Sequence, residues 1–168
     1  MAFRLEKVVR IASSRHPIFD GGGAARFGAR WNSPGRRVIY AADSFAGAML
    51  ERLVHLNINR VPSSESWIEC PIPEDVSIES LEAVDLPGWD LEDQRASRTY
   101  GDEWFDSKRT LALAVPSIVT RGRSFNVLIN QEHSEFHQLK PTKPQPVEWD
   151  RRLFLVEGRA KQAAAESS

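Results

Sequence analysis

Cysteine is nearly absent from this sequence. Cys70 is the single one among 168 residues. No disulfide can form within the chain, and no cysteine-based metal framework exists, so a reducing, cytoplasmic setting is expected. Long apolar runs are missing too. No stretch approaches the roughly 18 apolar residues of a spanning helix. Met1 to Arg10 carries neither an apolar run nor a small-residue cleavage site, so no secretory leader is expected. An excess of one charge is also lacking: 22 Lys and Arg against 23 Asp and Glu leave a net charge of −1. A nucleic-acid binder usually carries a clustered positive excess, so direct nucleic-acid contact is not expected. Several motifs are missing as well. The glycines at 21, 22, 23 and 28 do not meet the G-x-G-x-x-G spacing, and no βαβ pattern frames them. There is no G-K-S/T, no G-x-S-x-G elbow and no H-E-x-x-H. Rossmann, P-loop, α/β-hydrolase and zincin readings all lose their sequence support.

What is present is an ordinary globular composition, 41% hydrophobic and 27% charged. The length suits one domain with a real core; the expected extent is residues 1–158, with a frayed polar tail over 159–168. Phe3, Leu5, Val9 and Ile11 alternate and predict a strand, although Val8 breaks the pattern and allows a short helix after it. His16 to Asn32 reads as a long loop, and Ser33-Pro34-Gly35 as a turn. Val38 to Ala41 is a short strand. Ser44 is a candidate N-cap for a helix running to about Asn57. Its stripe is Phe45, Met49, Leu53 and Leu56, with Ala48, Glu51 and His55 on the adjacent face. Further strands are expected at Trp67–Ile72, Phe125–Asn130 and Leu153–Val156, with a weak one at Ile78–Val84. Asp85 to Asp102 reads as loop plus short helix, and Glu103 to Val115 as helix passing into strand. Many short strands with few long helices predict an α+β fold around a mixed or antiparallel sheet.

The chemistry concentrates between Gly23 and Glu51. Arg26 and Arg30 carry planar donor forks suited to phosphates, though most arginines are simply solvated. Trp31 and Tyr40 can stack on a heteroaromatic ring, or they pack the core. Glu51 sits beside the buried stripe of its helix, where it is held rigidly. His133 and His137 have the i,i+4 spacing of a metal pair, but no third ligand is evident and no metal is expected. Ser117 follows a proline at the end of an apolar run. A lone serine there is more often a hydrogen-bond partner or substrate contact than a nucleophile.

Taken jointly, these residues resemble the RES domain, the toxin half of bacterial RES–Xre toxin–antitoxin pairs. The matching pattern is G-A-x-x-x-G-x-R-W-N-x-x-G (Gly23 to Gly35), V-x-Y (Val38 to Tyr40) and S-x-x-x-A-x-x-E (Ser44 to Glu51). V-P-S (Val115 to Ser117) and N-V-L-I-N-x-x-H-x-x-F (Asn126 to Phe136) follow in order. Ala29 stands where the family usually has a second glycine, and Ser134 where it has proline. The resemblance implies an ADP-ribosyltransferase-like fold, with flanking helices on the sheet, and action on NAD⁺ as substrate with no cofactor. It implies cleavage of the nicotinamide–ribose bond by hydrolysis or phosphorolysis; the alternatives are transfer of ADP-ribose to a protein, or a non-catalytic binding module. Carried over by motif, the catalytic set is Arg30, Tyr40 and Glu51. The substrate-binding set is Arg30, Trp31, Tyr40 and Ser117, with Arg4 as a further pocket arginine. The implied partner is an Xre-like helix-turn-helix antitoxin, and a homodimer is left open.

Overall fold

The computed structural model describes residues 3–56 and 60–154. Seven strands form one sheet: β1 (Lys7–Ser13), β2 (Val38–Ala42), β3 (Glu65–Pro71), β4 (Ile78–Ser80), β5 (Ala112–Pro116), β6 (Phe125–Asn130) and β7 (Gln145–Pro146). Their order is β4-β5-β6-β2-β1-β3-β7. Every neighbour pair is antiparallel except β4 with β5. Three α-helices accompany the sheet: α1 (Gly22–Phe27), α2 (Phe45–Leu53) and α3 (Arg95–Ser107). This is the α+β architecture expected from the run of short strands.

The central strands are covered on both faces. On one side Val8, Ile39, Ala41, Val127 and Ile129 pack with Leu5, Ile72 and Leu139. On the other, Val38, Leu113, Val115 and Leu128 pack against Trp31, Trp89, Trp104 and Phe105. Val9, Ile11 and Ala42 pack with Ala48 of α2. Two-sided burial explains why Val8 interrupts the alternation expected of β1: Val8 and Val9 are both fully buried, on opposite faces, and no helix intervenes.

Other boundaries differ from the sequence reading. The glycine-rich loop contains α1, because Ala24, Ala25, Arg26 and Phe27 are good enough helix formers once Gly21 and Ala24 carbonyls accept from Ala25 and Gly28. α3 is one continuous helix that joins the short helix expected within Asp85–Asp102 to the helix expected from Glu103, and its buried face carries Ser97, Gly101, Trp104 and Phe105. Small residues are what let α3 lie so close to the chain beneath it. A strand does not form at Leu153: Arg151–Leu153 is a turn of 3₁₀ helix capped by Asp150, and the sheet instead ends on β7. Residues 155 and 156 of that expected strand, and the 159–168 tail, lie outside the described residues.

Along β3, β1 pairs over its whole length, from Lys7↔Pro71 to Ser13↔Glu65. With β2 it pairs at Val9↔Ala42 alone. The two central strands therefore part, and the sheet opens between them under α2.

Gly101 is the tightest point of the fold. A Cβ built there would lie 1.8 Å from the Trp31 carbonyl oxygen. Gly101→Ala must push α3 away from the Trp31 backbone, at a cost of about 2 kcal/mol or more. Urea unfolding is expected to show that loss at unchanged slope; an unaltered midpoint would show that the contact is not tight.

Candidate active site

A cavity of about 680 Å³ lies at the parting of β1 and β2. That is within the range of small-molecule sites. Its walls are β1 from Val9 to Ala12, β2 from Tyr40 to Ala42, the Phe27–Trp31 segment, Ala48, Glu51 and Arg52 of α2, and His55 in the turn after it. Gln94 and Arg98 at the start of α3, Asn126 of β6, and Pro116, Ile118 and Val119 at and after the end of β5 complete it.

Glu51 is placed by α2. Ser44 caps that helix, its hydroxyl accepting from the Gly47 amide at 3.0 Å. Ala48, one turn before Glu51, is the residue that buries the helix against the sheet. The expected stripe packs only in part, since Phe45 remains one-third exposed and meets Trp67 edge-on. Ser117 Oγ donates to Glu51 Oε1 at 2.7 Å and Asn126 Nδ2 donates to the same oxygen at 2.8 Å. Oε2 makes no hydrogen bond among the described residues. The carboxylate is thus fixed by one oxygen and presents the other. Ser117 is itself buried, and its hydroxyl serves the carboxylate.

Tyr40 lines the cavity, and its hydroxyl is committed to the loop beside it. It donates to Asn32 Oδ1 at 2.6 Å and accepts from the Trp31 amide at 3.2 Å. Asn32, fully buried, spends its amide on the Ala24 and Ser33 carbonyls. The phenol therefore locks the loop that carries Arg30. Burial pushes its pKa well above the ordinary value, so it stays a neutral donor. Trp31 is buried among Trp89 and Trp104, shaping the wall from the core side.

Arg30 donates through Nη1 to the Trp89 and Leu91 carbonyls, at 3.2 and 2.9 Å. Ser97 Oγ holds the Arg30 carbonyl at 3.0 Å. Asp102 takes both the amide and hydroxyl of Ser33. The loop is pinned to α3 on either side of its arginine.

Arg4 does not belong to this site. Its side chain is 73% exposed and faces Glu6 and Glu74. Residues 3–6 precede the strand, so they lie beyond the stretch of β1 that borders the cavity. The first-strand arginine on the wall is Arg10, which the sequence reading passed over. It donates to the Ile18 and Tyr40 carbonyls, filling the gap where β1 and β2 no longer pair. Burial, together with the nearby Arg52 charge, lowers its pKa to about 10 against the opposing pull of Asp20; it remains charged at neutral pH. An arginine inside a hydrophobic strand, with no acid beside it in sequence, was the available signal. Arg26 lies outside the cavity, its guanidinium 5.0 Å over the Phe27 ring. His133 and His137 are held by backbone: His133 by Lys108 O and Glu135 N, His137 by Ser134 O. Among the described residues no cluster of three His, Cys, Asp or Glu side chains could hold a metal, and no helix is long and apolar enough to cross a membrane.

Glu51 is the single carboxylate on the wall among the described residues, against the guanidiniums of Arg10, Arg30, Arg52 and Arg98. Arg52 is neutralised by Glu65. The balance suits an anionic ligand that develops positive charge near one end.

The family described as "RES domain" matches residues 7–150. The chain is 38% identical over 139 residues to the Prs ADP-ribosylating toxin of a Sphingobium species, covering 80% of this chain and 86% of that one. It is 36% identical over 129 residues to the Toxin Res of Pseudomonas putida, covering 76% and 87%. Its fold is similar to that in the crystal structure of the M. tuberculosis MbcT–MbcA toxin–antitoxin complex, with a TM-score of 0.66 at 17% identity, over 95% of this chain and 89% of that chain.

Tyr40→Phe removes the hydroxyl and leaves Asn32 Oδ1 buried without its donor, which costs about 1–3 kcal/mol. Chemical denaturation is expected to show the loss, with faster hydrogen exchange at the Trp31 amide. Unchanged stability and exchange would mean that the phenol does not lock the loop.

Proposed function

This chain belongs to the RES domain family, and from that premise we propose that it is the toxin of a toxin–antitoxin pair, an enzyme that breaks the nicotinamide–ribose bond of NAD⁺. The observation that supports this reading most is Glu51: one oxygen is fixed by Ser117 and Asn126, the other has no hydrogen bond among the described residues, and the wall's other ionised side chains are arginines.

The chemistry follows from those groups. The electron pair of the glycosidic C–N bond leaves with nicotinamide, which departs neutral. Positive charge builds on the ribose carbon and its ring oxygen, an oxocarbenium-like state. Glu51 opposes that charge and accepts a hydrogen bond from a ribose hydroxyl through its unpaired oxygen. Because the carboxylate is already oriented, little reorganisation accompanies the step. Arg30 binds the diphosphate through the part of its guanidinium not given to Trp89 and Leu91. The Tyr40 ring bounds the site without needing its hydroxyl. The ribosyl carbon is then taken by an acceptor, which gives up its proton as the new bond forms.

Water and orthophosphate are two such acceptors. The likeness to a relative named Prs ADP-ribosylating toxin favours a second reading, in which a protein side chain is the acceptor and the first half of the reaction is unchanged. The antitoxin partner is supported by the likeness to a toxin–antitoxin complex.

Glu51→Gln keeps the shape and the hydrogen bonds but removes the charge. It is expected to lower nicotinamide release from NAD⁺ by about 100-fold or more, the scale of losing a preorganised electrostatic contact, with the melting temperature unchanged. Undiminished release by the purified variant would remove Glu51 from catalysis. Arg30→Ala is expected to raise KM for NAD⁺ more than it lowers kcat; calorimetry giving equal affinity would place the diphosphate elsewhere.

A further inference from the structure

The cavity holds a guanidinium that neither the motif nor the reading above uses. Arg98 lies in the first turn of α3 and lines the wall together with Gln94. Its neighbours among the cavity arginines are engaged: Arg52 by Glu65, Arg10 by two backbone carbonyls, Arg30 by two more. Arg98 gives Nη2 to the neutral Gln94 Oε1 at 2.9 Å. Its Nε is buried and has no acceptor. No carboxylate pairs with it among the described residues. The Nε is closed off from the cavity, so a ligand there meets the guanidinium at Nη1, which makes no hydrogen bond among the described residues and is not buried.

The frame around Arg98 is rigid. Ser97, the preceding residue, holds the Arg30 carbonyl. Gly101, one turn on, presses against the Trp31 carbonyl. Arg98 and Arg30 are therefore carried by elements locked to each other, on the same cavity. We propose that Arg98, held beside Gln94, binds a phosphate group in this cavity. The inference rests on the NAD⁺ reading for its ligand: the phosphate is either the diphosphate of the dinucleotide or free orthophosphate serving as acceptor. A guanidinium with its Nη1 free suits either.

The test uses the whole chain and its Arg98→Gln and Arg98→Lys variants, with thermal melts to confirm folding. ADP-ribose, adenosine and orthophosphate are the probes. If Arg98 holds the diphosphate, Arg98→Gln weakens ADP-ribose binding in calorimetry about tenfold and leaves adenosine unaffected. KM for NAD⁺ then rises about tenfold with kcat within about twofold, and Arg98→Lys falls between. If it holds orthophosphate, ADP-ribose affinity is unchanged and the phosphate dependence of nicotinamide release is lost. Should Arg98→Gln not fold, the Arg98→Lys variant decides, through a partial loss of the same quantity. Equal ADP-ribose affinity together with equal phosphate dependence overturns the proposal. Arg98-dependent ADP-ribose binding without any nicotinamide release by the wild type would instead sink the NAD⁺-cleavage reading and leave Arg98 standing. A wild type that binds neither ADP-ribose nor orthophosphate contradicts both.

Discussion

The parting of β1 from β2 is the constraint on which the site depends. Two central strands in a buried sheet would ordinarily exchange backbone hydrogen bonds along their length. Here they meet at Val9↔Ala42 and then separate, and the orphaned Tyr40 carbonyl is taken by Arg10. A charged side chain thus replaces a ladder bond in the middle of the molecule. The replacement keeps the strands apart, opens the cavity and places positive charge at its border. The polar group most costly to bury is the one that makes the opening stable.

Around that opening the molecule is built to hold two things still. Glu51 is fixed from β6 and the segment after β5, through Asn126 and Ser117. The loop carrying Arg30 is fixed from α3, through Ser97, Gly101 and Asp102, and from β2, through the Tyr40 phenol. Carboxylate and arginine approach the cavity on separate supports, so each is oriented before a ligand arrives. Preorganisation of this kind is what lets a few charges act strongly on a developing cation. It also divides the labour within one residue: the Tyr40 carbonyl takes the Arg10 guanidinium at the gap while its hydroxyl braces the loop.

The sequence was informative where local rules and spacing decide the outcome. Ser44 as a cap, the helix behind it and Glu51 on its inner side follow from a capping residue and a 3.6-residue period. The Phe125–Asn130 strand follows from a bounded apolar run. What lay beyond reach came from long-range packing. Val8 looked like a break in β1 because two-sided burial is a property of the sheet. α1 hid among glycines, and the full extent of α3 was obscured by a polar stretch because its contacts are with Trp31 and the loop some seventy residues away. Arg10 was overlooked, and Arg4 favoured, because only the strand register shows which arginine borders the gap. The Tyr40 hydroxyl could not be assigned to Asn32 and Trp31 without the turn of the loop between them.

The central claim is that this cavity breaks the nicotinamide–ribose bond, whichever acceptor follows. It is tested most directly by adding the protein to a bacterial lysate containing NAD⁺ labelled in the nicotinamide ring, since a lysate offers water, phosphate and protein acceptors together. The account predicts catalytic release of free labelled nicotinamide with the wild type and almost none with Glu51→Gln. Label remaining in intact NAD⁺ after addition of folded wild-type protein would contradict it.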